Sequence, residues 1–174
     1  LSGAKIQIAN MVAGDALKYT SGGPYIFPAP TDTGATVVYA LPAGTNGNIT
    51  ATYTKATGLM ELTGVFAKAD YAKALKSILF VSTSENPTGV TQANSAGTTP
   101  SRTINWQIND GQAENNWSAV ATSQVNITAV NDKPVLTSTV AAVAFTENSA
   151  PVLANNGIVL SDVDSTMLSG ATVT

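Results

Sequence analysis

The sequence predicts an all-β protein with one short helix, and three observations support this fold class. Short segments rich in Thr, Val, Ile and Tyr alternate apolar with polar residues, as half-buried strands do. Clusters of Gly, Pro and Asn separate these segments, which is typical of a β-sandwich or barrel. The chain has 174 residues, enough for one domain, or for one domain and part of a second.

Six segments have the strand pattern. In the first, Ile6 and Ile8 fall on one face of the predicted strand, whereas Lys5 and Gln7 fall on the other. The predicted strands are residues 4–9, 36–40, 48–54, 59–62, 102–109 and 120–130. The predicted loops between them are residues 21–30, 41–48 and 85–100.

One segment, residues 70–79, departs from the strand pattern and predicts the helix. Its apolar residues follow the helical spacing i, i+3, i+4, i+7 and i+8. They are Tyr71, Ala74, Leu75, Ile78 and Leu79. Asp70 is a suitable N-cap for this helix. We expect the helix to pack across an edge of the sandwich and to pass into a strand near Phe80.

Composition narrows the range of functions. Hydrophobic residues make up 44% of the chain and charged residues 11%, so the chain is expected to fold, with polar uncharged residues covering its surface. The net charge is −3 and the 8 Lys and Arg residues are scattered, so no surface for nucleic acid is predicted. No apolar run reaches the ~18 residues that a membrane span needs.

Two residue types are missing from the sequence, since the chain contains no Cys and no His. Their absence removes disulfides, thiolate zinc sites and the commonest general base. The alternative of a glycosidase pair formed by Asp162 and Asp164 has little support, because such carboxylates normally come from separated strands that face one bond. We therefore do not expect an enzyme.

The two ends of the chain repeat each other. Leu-Ser-Gly-Ala occupies residues 1–4 and again residues 168–171, an offset of 167 residues (168 − 1). The similarity continues into residues 5–7 and 172–174, where an aliphatic residue keeps the middle position. This repetition predicts a tandem array with about one domain per period. We expect the chain to begin and end inside a repeat, with an Asp-x-Asp segment before Leu1 in the array.

Oxygen-bearing side chains occur at three points of the otherwise apolar stretch 131–164. They are Asn131 and Asp132 before a proline, Glu147 and Asn148 in a Thr-Glu-Asn run, and Asp162 and Asp164. Oxygen ligands gathered in this way suit Ca²⁺, which takes about 6–8 of them. In a strand, the period of two would point both aspartates of Asp-x-Asp to one side, where they repel unless a cation screens them. The alternative for each point is an ordinary polar turn.

These motifs resemble the cadherin repeat. The run from Glu147 to Ser149, followed by Asp162-x-Asp164, is similar to the opening of such a repeat. Residues 127–134 resemble the linker between repeats, and residues 108–112 resemble the segment before the last strand. The chain is similar in particular to cadherin-like repeats of large bacterial surface proteins and RTX-type adhesins. That similarity also involves residues 57–64, 71–75, 102–104 and 125–134.

The resemblance implies a cadherin- or immunoglobulin-like Greek-key β-sandwich. Residues 1–130 would form most of one repeat without its opening strands, residues 131–134 the linker, and residues 135–174 the opening strands of the next repeat. The implied calcium ligands are Asp110, Asn131, Asp132, Glu147, Asp162 and Asp164. Ala129 stands where many cadherin linkers have aspartate, so fewer ions or weaker binding are implied, with a Kd of about 10⁻⁴–10⁻³ M.

The expected function is that of a calcium-binding structural or adhesive extender in a large secreted cell-surface protein, with Ca²⁺ rigidifying the joints between repeats. The alternative is a subunit of an extracellular filament or surface layer, assembled by strand complementation between copies. The expected partners are neighbouring repeats or copies of the chain, with a cell-surface or glycan target as a further option. Trp117, in a polar segment, is the candidate for an exposed contact, whereas Trp106 is expected to pack in the core.

Overall fold

A computed structural model describes residues 1–19, 31–42, 47–87, 101–138 and 142–174. These ranges contain eleven strands and one helix, so the fold is mostly β. The elements in chain order are β1 Gly3–Ile8, β2 Asp15–Tyr19, β3 Thr31–Asp32, β4 Thr36–Pro42, β5 Asn48–Thr54, β6 Leu59–Thr63, α1 Lys68–Lys76, β7 Ile78–Ser82, β8 Ser101–Asn109, β9 Ala121–Asn126, β10 Val135–Ser138 and β11 Ile158–Ser161. The helix is too short to cross a membrane, and the described ranges hold no longer apolar one.

Seven strands form one antiparallel sheet in the order β3-β4-β5-β6-β1-β8-β9. The first strand of the chain lies inside this sheet, where Ile6 is opposite Met60 of β6 and Trp106 of β8. The strand period of two then places alternate residues on an inner face. Residues on that face are buried, and they include Ala4, Ile6, Ile8, Ile49, Ala51, Tyr53, Met60, Leu62 and Ile104. The sheet is therefore held by apolar burial on one side.

A smaller second layer covers part of the inner face. It consists of the antiparallel pair β2 and β7 together with α1, and it contributes Leu17 and Tyr71 to the core. Tyr19 of β2 lies 6.4 Å from Tyr39 of β4, measured between ring centroids. The Tyr53 hydroxyl of β5 donates to the carbonyl of Asp15 over 3.4 Å. This two-layer arrangement of antiparallel strands is compatible with a β-sandwich.

The helix prediction was right in type but wrong at both ends. The helix begins before Asp70, and Ala67 occupies the N-cap without a side-chain hydrogen bond. Asp70 lies in the first turn instead, where a carboxylate interacts favourably with the helix dipole. Ile78 and Leu79 belong to β7, because pairing with Tyr19 and Lys18 of β2 takes them out of the helix.

All six predicted strands are present, with ends that differ by a few residues. The largest error is at 127–130, which was predicted as strand but follows the end of β9 without further pairing. Strands β2 and β3 were not predicted. Strand β7 was predicted only as a strand near Phe80 after the helix, and β10 and β11 only as opening strands without bounds in residues 135–174. The predicted loop at 21–30 lies outside the described residues, as do residues 43–46 and 88–100 of the other two predicted loops.

The C-terminal part of the chain forms a separate two-stranded sheet. Strands β10 and β11 pair antiparallel, with Leu136 opposite Leu160. These two side chains and Ile158 share one face of the pair, and all three are more than half exposed. This pair therefore buries little of its apolar surface within the described chain.

Candidate functional site

The candidate site lies at the joint between the two parts of the chain, which we define as residues 127–134 and 162–165. Strand β9 ends at Asn126, which pairs with Ser101 at one end of the large sheet. Ile127 is buried there, and the chain then runs without regular structure to β10 at Val135. The joint is thus anchored to the core on one side and to the β10–β11 pair on the other.

A carboxylate connects the two halves of the joint. The backbone N–H of Asp132 donates to Oδ2 of Asp164 over 3.0 Å, although 32 residues separate them in sequence. Oδ1 of Asp162 in turn accepts from the N–H groups of Asp164 (3.1 Å) and Ser165 (2.9 Å). The structure therefore brings the linker and the Asp-x-Asp segment together.

The other oxygen of Asp164 is the unusual atom of the joint. Asp164 is only 9% exposed, and no group in the described ranges hydrogen-bonds to its Oδ1. A buried carboxylate oxygen without a partner is unfavourable, and native proteins normally supply a hydrogen bond, a charge or a metal. The donor set of this joint consists of oxygens, so a hard cation fits the unpartnered atom.

The sequence argument for Asp162 and Asp164 was wrong in its geometry. Strand β11 ends at Ser161, so neither aspartate lies in a strand and their side chains do not follow the strand period. The physical reason is the pair of hydrogen bonds to Asp162 Oδ1, which turn the backbone as an Asx turn does. Asp162 therefore shapes the turn, and Asp164 is the more buried of the two.

Acidic side chains do not crowd at this joint. In the part of the chain that the structure describes, no three carboxylates gather closely enough to hold a metal ion. Asp132 reaches Asp164 through its backbone, and Asn131 donates its side-chain amide to the Asp132 carbonyl over 2.7 Å. A cation here would need backbone carbonyls or water in addition to the carboxylates of Asp162 and Asp164.

Two predicted ligands lie away from this group. Glu147 is exposed, in a turn where the Ser149 N–H donates to the Thr146 carbonyl over 3.1 Å. Asp110 follows β8 at the opposite end of the large sheet, close to Ser2, whose hydroxyl donates to the neighbouring Asn109 side chain over 2.7 Å. The cadherin resemblance implies that Glu147 binds calcium at the following joint and Asp110 at the preceding one, and both roles stay predictions.

Sequence reasoning missed a buried ion pair next to the joint. Nε of Arg102 in β8 donates to the carboxylate of Asp15 in β2, and their side chains are 3% and 0% exposed. Nη2 of Arg102 also donates to the carbonyl of Pro87. A signal was present, because Arg102 shares the strand period with Ile104 and Trp106 and must face the core with them.

The two tryptophans differ as the sequence predicted. Trp106 packs against the core, and its indole N–H donates to the Ser123 hydroxyl over 2.8 Å. Trp117 is more than a third exposed on the outer side of the sheet. Lys5 Nζ lies 4.8 Å from the centroid of the Trp117 ring, a cation–π distance. One face of the exposed ring is therefore already in contact with a side chain of the protein.

Comparison with known proteins does not assign the site. No family model, no curated protein and no solved structure matches this chain. The site is therefore defined by its own geometry, above all by the buried, unpartnered oxygen of Asp164 beside the linker.

Proposed function

We propose that this chain is a calcium-binding structural repeat of a secreted cell-surface protein, in which a cation at the joint fixes residues 135–174 relative to residues 1–130. Within this proposal the fold is a cadherin-like Greek-key β-sandwich. The observation that carries the proposal is Asp164, whose carboxylate is buried between the linker and the second part and has one oxygen without a partner.

The choice of calcium follows from the available donors. The chain has neither Cys nor His, so the joint offers oxygen ligands alone. Asp164 and Asp162 would hold the ion, with oxygens of the linker residues Asn131 and Asp132 nearby in sequence and structure. When bound, Ca²⁺ supplies positive charge that balances the two carboxylates and accepts an irregular set of 6–8 oxygens.

The residues of the joint have separate tasks in this proposal. Asp162 holds the turn by accepting two backbone N–H groups, and the Asp132 N–H orients Asp164. The proposed result is a linker that is fixed at both ends, so that successive repeats extend as a rod. A ligand that binds only the folded state adds about 2.7 kcal/mol of stability at a hundredfold excess over its Kd.

A thermal melt in Ca²⁺ and in EDTA tests the proposal on the full chain. We expect the melting temperature to rise with Ca²⁺ and to saturate, and we expect Asp162→Ala/Asp164→Ala to remove this rise. Glu114→Ala, which removes an exposed carboxylate elsewhere, is the matched control and should keep it. A melting temperature that does not respond to Ca²⁺ in the unaltered chain contradicts the proposed function.

A second candidate function is self-assembly by strand complementation. The observation that favours it is the contrast between the seven strands of the large sheet and the two strands of the second layer in the described chain. The β10–β11 pair exposes Leu136 and Leu160, and its strands carry no charged residue to discourage pairing. One copy could complete the second layer of the next.

The mass of the protein in solution separates the two candidates. Strand complementation predicts assemblies whose mass is a multiple of the 17.7 kDa chain in light scattering and that fall to one chain under denaturing conditions. Leu136→Lys/Leu160→Lys should then return the protein to single chains. A monomeric unaltered chain across the micromolar range rules out this second candidate.

A further inference from the structure

The segment of residues 83–87 connects the core of the first part to the joint. It follows β7, and its Thr83 N–H donates to the Gly14 carbonyl over 3.0 Å. Gly14 has a φ of +93°, and a Cβ added to it would lie 2.8 Å from the Ser84 nitrogen. Only glycine fits this approach, so the start of β2 and the 83–87 segment are in close backbone contact.

The buried ion pair holds the other end of the same segment. Arg102 Nη2 donates to the carbonyl of Pro87, while Nε of the same side chain donates to Asp15. Arg102 can satisfy two acceptors at fixed positions because its guanidinium group is planar and rigid. The 83–87 segment is therefore attached to β2 at its start and to β8 at its end.

Asn86 carries this attachment across the joint. Its side-chain Nδ2 donates to the carbonyl of Val163 over 3.4 Å. Val163 is the residue between Asp162 and Asp164, so the contact acts on the turn that carries both carboxylates. A path of contacts thus runs from Asp15 through Arg102 and the 83–87 segment to the candidate cation site.

We infer that Asn86 is a positioning residue for the cation site and that the 83–87 segment couples cation binding to the core of residues 1–127. The inference rests on the proposed function, because it concerns the same site. Coupling of this kind is reciprocal: Ca²⁺ at the joint stabilises the 83–87 segment, and loss of the Asn86 contact weakens Ca²⁺ binding.

The test compares Asn86→Ala with the unaltered full chain and with the control Asn48→Ala. Asn48 is exposed and begins β5 at the end of the large sheet away from the joint. Calorimetric titration with CaCl₂ should give a Kd that Asn86→Ala raises about two- to tenfold, the range for loss of one hydrogen bond, and that Asn48→Ala leaves unchanged. Melting temperatures in EDTA should be the same for all three proteins.

Hydrogen exchange supplies a readout that does not depend on affinity. Saturating Ca²⁺ should slow exchange of the amides of residues 83–86 in the unaltered chain and in Asn48→Ala, and it should do so less in Asn86→Ala. Binding that is equally tight in all three proteins, with equal protection of residues 83–86, overturns the inference and leaves the proposed function intact. Absence of Ca²⁺ binding to the unaltered chain overturns both.

Discussion

Residues 1–127 and residues 131–174 differ in how they are stabilised. In the first region, strand after strand turns apolar side chains to one face, and Ile6, Met60 and Tyr53 are almost completely buried. In the second region, Leu136 is 64% and Leu160 is 56% exposed. The first region therefore buries an apolar core, whereas the second leaves apolar side chains exposed in the described part of the chain.

The two regions also differ in the groups that interact with their buried carboxylates. Asp15 in the first region has Arg102 as an internal counter-charge. Asp164 in the second region has a backbone N–H on one oxygen and no partner within the described residues on the other. The first region supplies a counter-charge to its buried carboxylate from its own sequence, although Asp15 Oδ1, like Asp164 Oδ1, has no hydrogen-bond partner among the described residues. In the proposed function, a cation from solution supplies the counter-charge of Asp164.

The largest expected effect tests the internal counter-charge. Arg102→Ala leaves Asp15 buried without its partner and should lower the free energy of unfolding by about 3–5 kcal/mol in chemical denaturation. Lys55→Ala, which breaks the exposed pair with Asp32, is the control and should lower it far less because solvent screens that pair. Equal losses in the two variants would remove the contrast between buried and exposed pairs.

The next effect compares apolar side chains in the two regions. Ile6→Ala removes a fully buried side chain and should lower the free energy of unfolding by about 2–5 kcal/mol. Leu136→Ala removes an exposed one and should change it by about 0.5 kcal/mol or less. Denaturant titrations of the two variants and the unaltered chain would measure both losses. A large loss for Leu136→Ala would mean that the second region has a core of its own.

Asp164→Asn should act in opposite directions with and without calcium. In EDTA the substitution removes a buried, uncompensated charge and should raise the melting temperature slightly. In saturating Ca²⁺ it should remove most of the cation-linked stabilisation, which is about 2.7 kcal/mol at a hundredfold excess over Kd. Asp70→Asn, the same substitution in α1, is the control and should leave the calcium-linked stabilisation unchanged. The same effect in both conditions would contradict a cation at Asp164.

Alkaline pH should act on the first region alone. Burial raises the pKa of Tyr39, Tyr53 and Tyr71 above the usual value, and residues 131–174 contain no tyrosine. Because the pKa of these tyrosines is higher in the folded state, their neutral form contributes fully to the free energy of unfolding below about pH 10, the pKa in the unfolded chain. This contribution is lost as pH rises through the pKa values of the folded protein. Near-ultraviolet absorbance should therefore show that Tyr39, Tyr53 and Tyr71 ionise together with unfolding. Ionisation of these three tyrosines at about pH 10 in the folded protein would contradict this prediction.

The parts of the fold that sequence could predict are those with a strong local period. Strand β5 was predicted with its observed ends, because Ile49, Ala51 and Tyr53 alternate with threonines. The start of strand β7 was assigned to the helix because Ile78 and Leu79 continue the helical spacing of α1, and pairing with β2 overrides that local pattern. A short stretch of neighbouring residues does not reveal which distant strand it will pair with.

The candidate site could be predicted in residue type but not in geometry. Asp132 and Asp164 were both proposed as ligands, and the structure joins them through a backbone N–H. The turn around Asp162 and the contact from Asn86 depend on hydrogen bonds between distant segments, so composition and spacing do not reveal them. The Asp15–Arg102 pair could have been predicted, since an arginine at an inward-facing strand position calls for a buried acidic partner.

NMR can show whether a cation binds at Asp164 and joins the two regions, because it follows each backbone amide separately. Amide chemical shifts of the full chain would be followed while CaCl₂ is added to about 10 mM, above the Kd range of extracellular calcium modules. We predict saturable shifts concentrated in residues 131–134 and 162–165, led by the Asp132 and Asp164 amides, with smaller shifts in residues 83–86. Spectra that stay unchanged, or shifts confined to other residues, would rule out a cation at this joint.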